Sequence, residues 1–123
     1  MAQATYSHIG NTIDYTPASD VEAGQVVVVG NLVGVASRPI ASGELGAIAV
    51  RGVFDVVKAN VAISAGDAVY WDADGDPVGG EAGSGAATNV STDNTFMGYA
   101  VADAAAADGT VRVTLAAPAP NPA

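Results

Sequence analysis

The chain has no cysteine among its 123 residues, which excludes disulfides, thiol catalysis and thiolate metal sites together. Positive charge is almost as scarce. Arg38, Arg51, Lys58 and Arg112 are the only fixed cations, and the formal net charge is −9 at pH 7. So acidic a chain repels phosphate, while duplex binding requires clustered Lys and Arg, so no nucleic-acid partner is expected. Long apolar runs are missing too. Val26 to Val29 is the longest strongly apolar stretch, far below the roughly 18 residues that suggest a membrane span, so no membrane partner is expected. Met1 to Thr5 has neither the basic nor the apolar region of a secretory signal. His8 is the single histidine, and no activated serine accompanies it to form a nucleophilic triad.

What remains is rich in Ala, Val and Gly. Valine is stiff at its branched β-carbon and packs well on a pleated surface. Glycine supplies the tight turns that many short strands need. The length fits one domain with a core of its own. The acidity favours solubility and complements a basic protein surface.

The chain repeats itself. Val21-Glu22-Ala23-Gly24-Gln25 before Val26 to Val29 reappears as Ile63-Ser64-Ala65-Gly66-Asp67 before Ala68 to Trp71. Leu32-Val33-Gly34-Val35-Ala36 is echoed by Phe96-Met97-Gly98-Tyr99-Ala100, and Gly43 to Val50 by Gly109 to Leu115. Three echoes in the same order predict two similar β-units. The expected fold is all-β, a small compact barrel or sandwich. Its expected organisation is an N-terminal arm over 1–20, a β-domain over 21–116 and a Pro-rich tail over 117–123. Within the β-domain the units fall at about 21–56 and 63–116, with an inserted loop over 72–95.

Local patterns fill in the units. Ile13 and Tyr15 alternate with polar neighbours, predicting a half-exposed strand in the arm. Val26 to Val29 is apolar on both faces, as in a strand between layers or subunits. Gly30-Asn31 predicts a hairpin into Leu32 to Ala36. Ile48 to Val56 reads as one alternating strand, with Val53 out of place among Arg51 and Asp55 as if marking a second contact surface. Gly79 to Asn94 has almost nothing to bury and reads as a long mobile loop. Asp103 to Asp108 is Ala-rich enough for one helical turn, too short to stand alone.

Chemistry-bearing constellations are absent or incomplete. Asp72, Asp74 and Asp76 have the spacing that opens an EF-hand loop, but Pro77 stands at the turn glycine and Gly83 at the bidentate Glu. A turn between strands explains them without metal. Gly79 to Gly85 lacks the Gly-Lys-Ser/Thr ending of a phosphate-binding loop. Trp71, Tyr70, Phe54 and Phe96 sit at strand spacing and read as core rather than as a binding platform. No spacing singles out a catalytic carboxylate pair. The expectation is therefore no enzyme, no cofactor and no metal.

Several segments carry a family resemblance: Ala2 to Tyr6, Asp14 to Pro17, Val21 to Gly24, Leu32 to Ala36, Arg38 to Gly46 and Val50 to Asp55. It continues through Gly66 to Asp72, Met97 to Ala100 and Val111 to Leu115. Together they resemble the capsid cement, or decoration, proteins of tailed bacteriophages. Some members carry the label of RecA/RadA-type recombinase, which the missing phosphate-binding loop contradicts here. The resemblance implies a structural virion protein on the capsid exterior, present in the host cytoplasm before assembly. Its implied partners are the major capsid protein and two further copies of itself in a homotrimer. The arm, through Tyr6, His8, Ile9, Ile13 and Tyr15, is the expected capsid interface, adding a strand to a capsid sheet edge. The alternative is a trimeric fibre-base or receptor-binding module that uses the 79–94 loop.

Overall fold

The structure, a computed structural model, describes residues 3–4 and 10–116. Among them are nine strands and no helix: β1 (Thr12–Tyr15), β2 (Val26–Val29), β3 (Leu32–Ala36), β4 (Gly46–Ala49), β5 (Gly52–Val57), β6 (Ala68–Asp72), β7 (Ala86–Thr88), β8 (Thr95–Ala100) and β9 (Thr110–Leu115). They form two antiparallel sheets, ordered β1-β4-β3-β2 and β5-β9-β8-β6-β7. The sheets pack as a sandwich, with β3 lying on β8. Of the two expected all-β forms, the sandwich is the one adopted. The second sheet curls until Lys58 bridges Ala87 in parallel, and the Ala59 amide donates to the Ala87 carbonyl at 2.9 Å. That single bridge stops short of a closed barrel.

The repeat reaches down to single hydrogen bonds. Val21 and Ile40 exchange both backbone bonds, and so do Ile63 and Ala104. Gly24 donates to Ala36 at 2.6 Å, and Gly66 to Ala100 at 2.7 Å. Both glycines have positive φ, 84° and 91°, a conformation that side chains resist and glycine accepts. Val27 faces Gly34 across β2 and β3, as Val69 faces Gly98 across β6 and β8. Ala36 faces Ile48, as Ala100 faces Val113.

Sheet membership also extends the repeat beyond the sequence echoes. β1 pairs with β4 through Ile13 and Ile48, as β5 pairs with β9 through Phe54 and Val113. Ile48 to Val56, read as one strand, is therefore two. β4 closes the first sheet, and after Val50 and Arg51 β5 opens the second. The alternation seen in the sequence is real within each strand but continues across a change of sheet. Asp103 to Asp108 forms a bridge and a turn instead of a helical turn, because Ala104 is held to Ile63.

Two apolar clusters follow from the two faces of the first sheet. Val33 and Val35 point across the sandwich and join Val56, Val69, Trp71, Met97, Val111, Val113 and Leu115 in the main core. Val27, Ala36 and Ile48 lie on the opposite face, where Val21 and Ile40 close over them. Burial on both faces explains why β3 reads as continuously apolar.

Candidate interaction surface

The outward face of the second sheet carries exposed apolar groups in a connected patch. Val53 in β5 faces Thr114 in β9, which faces Tyr99 in β8. Val53 is 57% exposed and Tyr99 43%. Val101, also exposed, donates its amide to the Arg112 carbonyl and extends the patch by one row. Tyr70 and Phe96 complete it. The Phe96 ring meets Tyr70 and Tyr99 edge to face, with centroids 5.7 and 5.3 Å apart.

This aromatic group exists because of a break in the strand. The β6–β8 register shifts between Val69 and Tyr70, so Val69 faces Gly98 while Tyr70 faces Phe96. Met97 is the extra residue and is fully buried in the core. A bulge of this kind re-aims side chains. Here it puts Phe96 and Tyr99, three residues apart, on one face. Sequence reading placed Trp71, Tyr70, Phe54 and Phe96 together as core. Trp71 is buried and Phe54 packs against the core, but Tyr70 and Phe96 are half-buried and pack on each other outside that cluster. The signal that marks the difference is Gly98 inside an apolar strand.

Asp55 and Arg112 pair across β5 and β9, on one side of this face. Arg112 Nε donates to Asp55 Oδ1 at 2.9 Å, and both side chains are more than half exposed. The hydrogen bond to Asp55, then its charge, pushes the Arg112 pKa further up. The two charges neutralise each other while remaining in water. Val53, singled out in the sequence as a second contact surface, stands beside them.

The arm residues distribute differently. Ile13 and Tyr15 sit in β1, half-buried against the Val21–Ile48 cluster. Their alternation is used to pack the chain's own first sheet. Tyr6, His8 and Ile9 lie outside the described residues.

The 79–94 segment is tied down more than its composition suggests. It contains β7, whose Ala86, Ala87 and Thr88 are all buried. They pair with Asp72, Trp71 and Tyr70 of β6. Asp76 Oδ1 accepts the Gly83 amide at 2.7 Å, and Gly85 donates to the Gly75 carbonyl at 2.9 Å. Alanine's small side chain is what fits there, so a buried strand forms in a stretch with few large apolar residues. Asp72 Oδ1 accepts the Asp74 amide at 3.1 Å. The three aspartates thus shape a turn, and among the described residues no group of acids or histidines is arranged to hold a metal.

Lys58 is the one charged side chain with no exposure among the described residues. Its Nζ donates to the carbonyls of Ala105, Ala106 and Asp108 at 2.8, 3.0 and 3.2 Å. Burial pushes its pKa down, and the nearby Asp108 charge opposes that. The lysine straps the 105–108 turn onto the end of β5. The first unit joins the equivalent turn with other groups: Ser42 donates from its amide to Asp20 and from its hydroxyl to the Ala18 carbonyl.

A cleft of about 570 Å³ opens between the two sheets, and its apolar lining includes Val26, Val35, Phe54, Val56, Val57 and Trp71. It gathers no set of groups suited to acid–base or nucleophilic chemistry. A connected exposed apolar patch on a sheet face suits protein contact. No curated protein and no solved structure matches the chain. The family of phage cement proteins matches residues 7–115, nearly the whole length, and the chain belongs to that family.

Proposed function

We propose that the protein binds the outer surface of the shell built by the major capsid protein and stabilises it, acting there as a homotrimer. The observation that carries this is the family match over 7–115 together with the outward apolar face around Val53, Tyr70, Phe96 and Tyr99. Cementing distributes its work over an interface, and such interfaces depend on buried aromatic and apolar anchors. Stabilisation follows by mass action, since a ligand that binds only the assembled lattice lowers the free energy of that state. The acidic chain would meet basic surface on the shell, which speeds encounter and selects the partner. The protein would reside in the host cytoplasm until shells are available.

Co-sedimentation with cognate shells, expanded and unexpanded, tests the reading. Saturable binding to expanded shells supports cementing and a site created by maturation. Folded protein that binds neither form overturns it.

A further inference from the structure

The internal repeat exposes a vacancy in the first sheet. In the second unit, β6 is covered along its outer edge by β7, with Tyr70 opposite Thr88 and Trp71 opposite Ala87. The segment that supplies β7 is inserted between β6 and β8. In the first unit the equivalent strands β2 and β3 are joined by Gly30-Asn31 alone, and β2 ends the sheet. Nothing among the described residues pairs with its outer edge.

The direction of the free groups is set by register. Ala36 donates to the Gln25 carbonyl, and bonded positions alternate along an antiparallel strand. Gln25, Val27 and Val29 therefore bond toward β3. Val26 and Val28 turn their N–H and C=O outward. Val28 occupies the place of Tyr70, one of the residues that pair with β7. The edge is short, all valine, free of charge and proline, and partly exposed at Val28 and Val29. Natural sheets block such edges or pair them.

We infer that the β2 edge takes up an extended segment of the shell subunit, which adds a fifth strand to the first sheet. The inference rests on the proposed capsid role. Three observations select this occupant. β7 shows the chemistry that fits, a short extended run of small uncharged residues. The cleft lined by Val26, Phe54, Val57 and Trp71 begins beside the edge and offers room for side chains of the incoming strand. The net charge of −9 favours a segment flanked by basic residues.

The test compares Val28→Pro with Val28→Thr in the full chain. Proline removes the outward N–H and blocks the edge, and an edge strand tolerates it because that N–H does not bond to β3. Threonine keeps the N–H and the branched shape. Affinity for expanded shells should fall roughly tenfold or more for Val28→Pro and stay near the parent for Val28→Thr. Hydrogen exchange of the Val26 and Val28 amides in the unmodified protein should be fast when free and slow on shells, which decides the matter even if Val28→Pro fails to fold. Shell binding with both amides still fast would overturn the edge proposal while leaving cementing intact. Slow exchange already in free protein would also overturn it. Sedimentation would then show whether the strand comes from a second copy or from the same chain. Absence of any shell binding by the parent would instead remove the capsid role itself.

Discussion

Gly98 in β8 backs directly onto the carbonyl oxygen of Thr114 in β9, leaving no room for a β-carbon. The contact is backbone against backbone, so neither strand can yield without breaking the ladder between them. Gly34 holds the same place in the first unit, but there a β-carbon would meet chiefly the Ile48 side chain, with Cδ1 at 2.7 Å. A side-chain tip moves more easily than a carbonyl. Gly98→Ala should therefore destabilise by about 3 kcal/mol and Gly34→Ala by about 1 kcal/mol, by the usual range for overpacking. Urea unfolding of the two variants checks the ranking, and equal losses would contradict it.

Lys58 offers a second test, because its ammonium is the shared donor for three carbonyls. Lys58→Met keeps most of the apolar stem but removes the shared donor from those carbonyls, uncoupling a largely exposed turn from β5. The expected loss is about 2 kcal/mol. The pH dependence has a definite sign. Folding lowers this pKa from the ordinary 10.5, so between the lowered value and 10.5 the unfolded chain binds more protons than the folded one. Stability from this group thus rises with pH through that window. Denaturation measured across it should show the positive contribution in the parent and its loss in Lys58→Met.

The two-unit plan was legible because the turns that start each unit require particular residues. Glu22-Ala23-Gly24-Gln25 and Ser64-Ala65-Gly66-Asp67 close on the same backbone bonds. The side chain of Gln25 accepts the Glu22 amide, as Asp67 accepts that of Ser64. The first strand of each unit was harder to see. Ile13-Asp14-Tyr15 and Phe54-Asp55-Val56 occupy equivalent strands but share little beyond one aspartate and an apolar alternation. The outward aromatics were hidden for a different reason. A period of two cannot place Phe96 and Tyr99 on one face, and only the bulge at Met97 does so. Val53 needed no bulge, and its odd position among charges was visible from the start.

The outward face should matter for partners more than for folding. Val53 is mostly in water, and Tyr99 is nearly half exposed and packs on the surface ring of Phe96, so changing them leaves the core untouched. Val53→Asp and Tyr99→Ala should each leave the melting temperature within a few degrees of the parent. Apolar and aromatic anchors at an interface commonly cost more than about 1 kcal/mol when truncated, so shell affinity should fall at least fivefold for each. Co-sedimentation at graded protein concentration gives both numbers. Undiminished affinity in the double variant would move the shell contact away from this face.

The arm includes β1, Thr12–Tyr15, which is part of the first sheet. Ile13 and Tyr15 pack beside Ile48, and β1 hydrogen-bonds to β4 over its four residues. Deleting residues 2–14 would strip most of that strand and uncover the Val21–Ile48 cluster, so a loss of shell binding would report on folding alone. Deleting 2–9 leaves β1 whole and removes Tyr6, His8 and Ile9. If those residues anchor the protein to capsid, the shorter deletion should keep the parent's unfolding midpoint while weakening shell binding. An unchanged midpoint with unchanged binding would confine the contact to the sheets. The two deletions must be compared side by side, since only the difference between them separates an anchor from an edge strand.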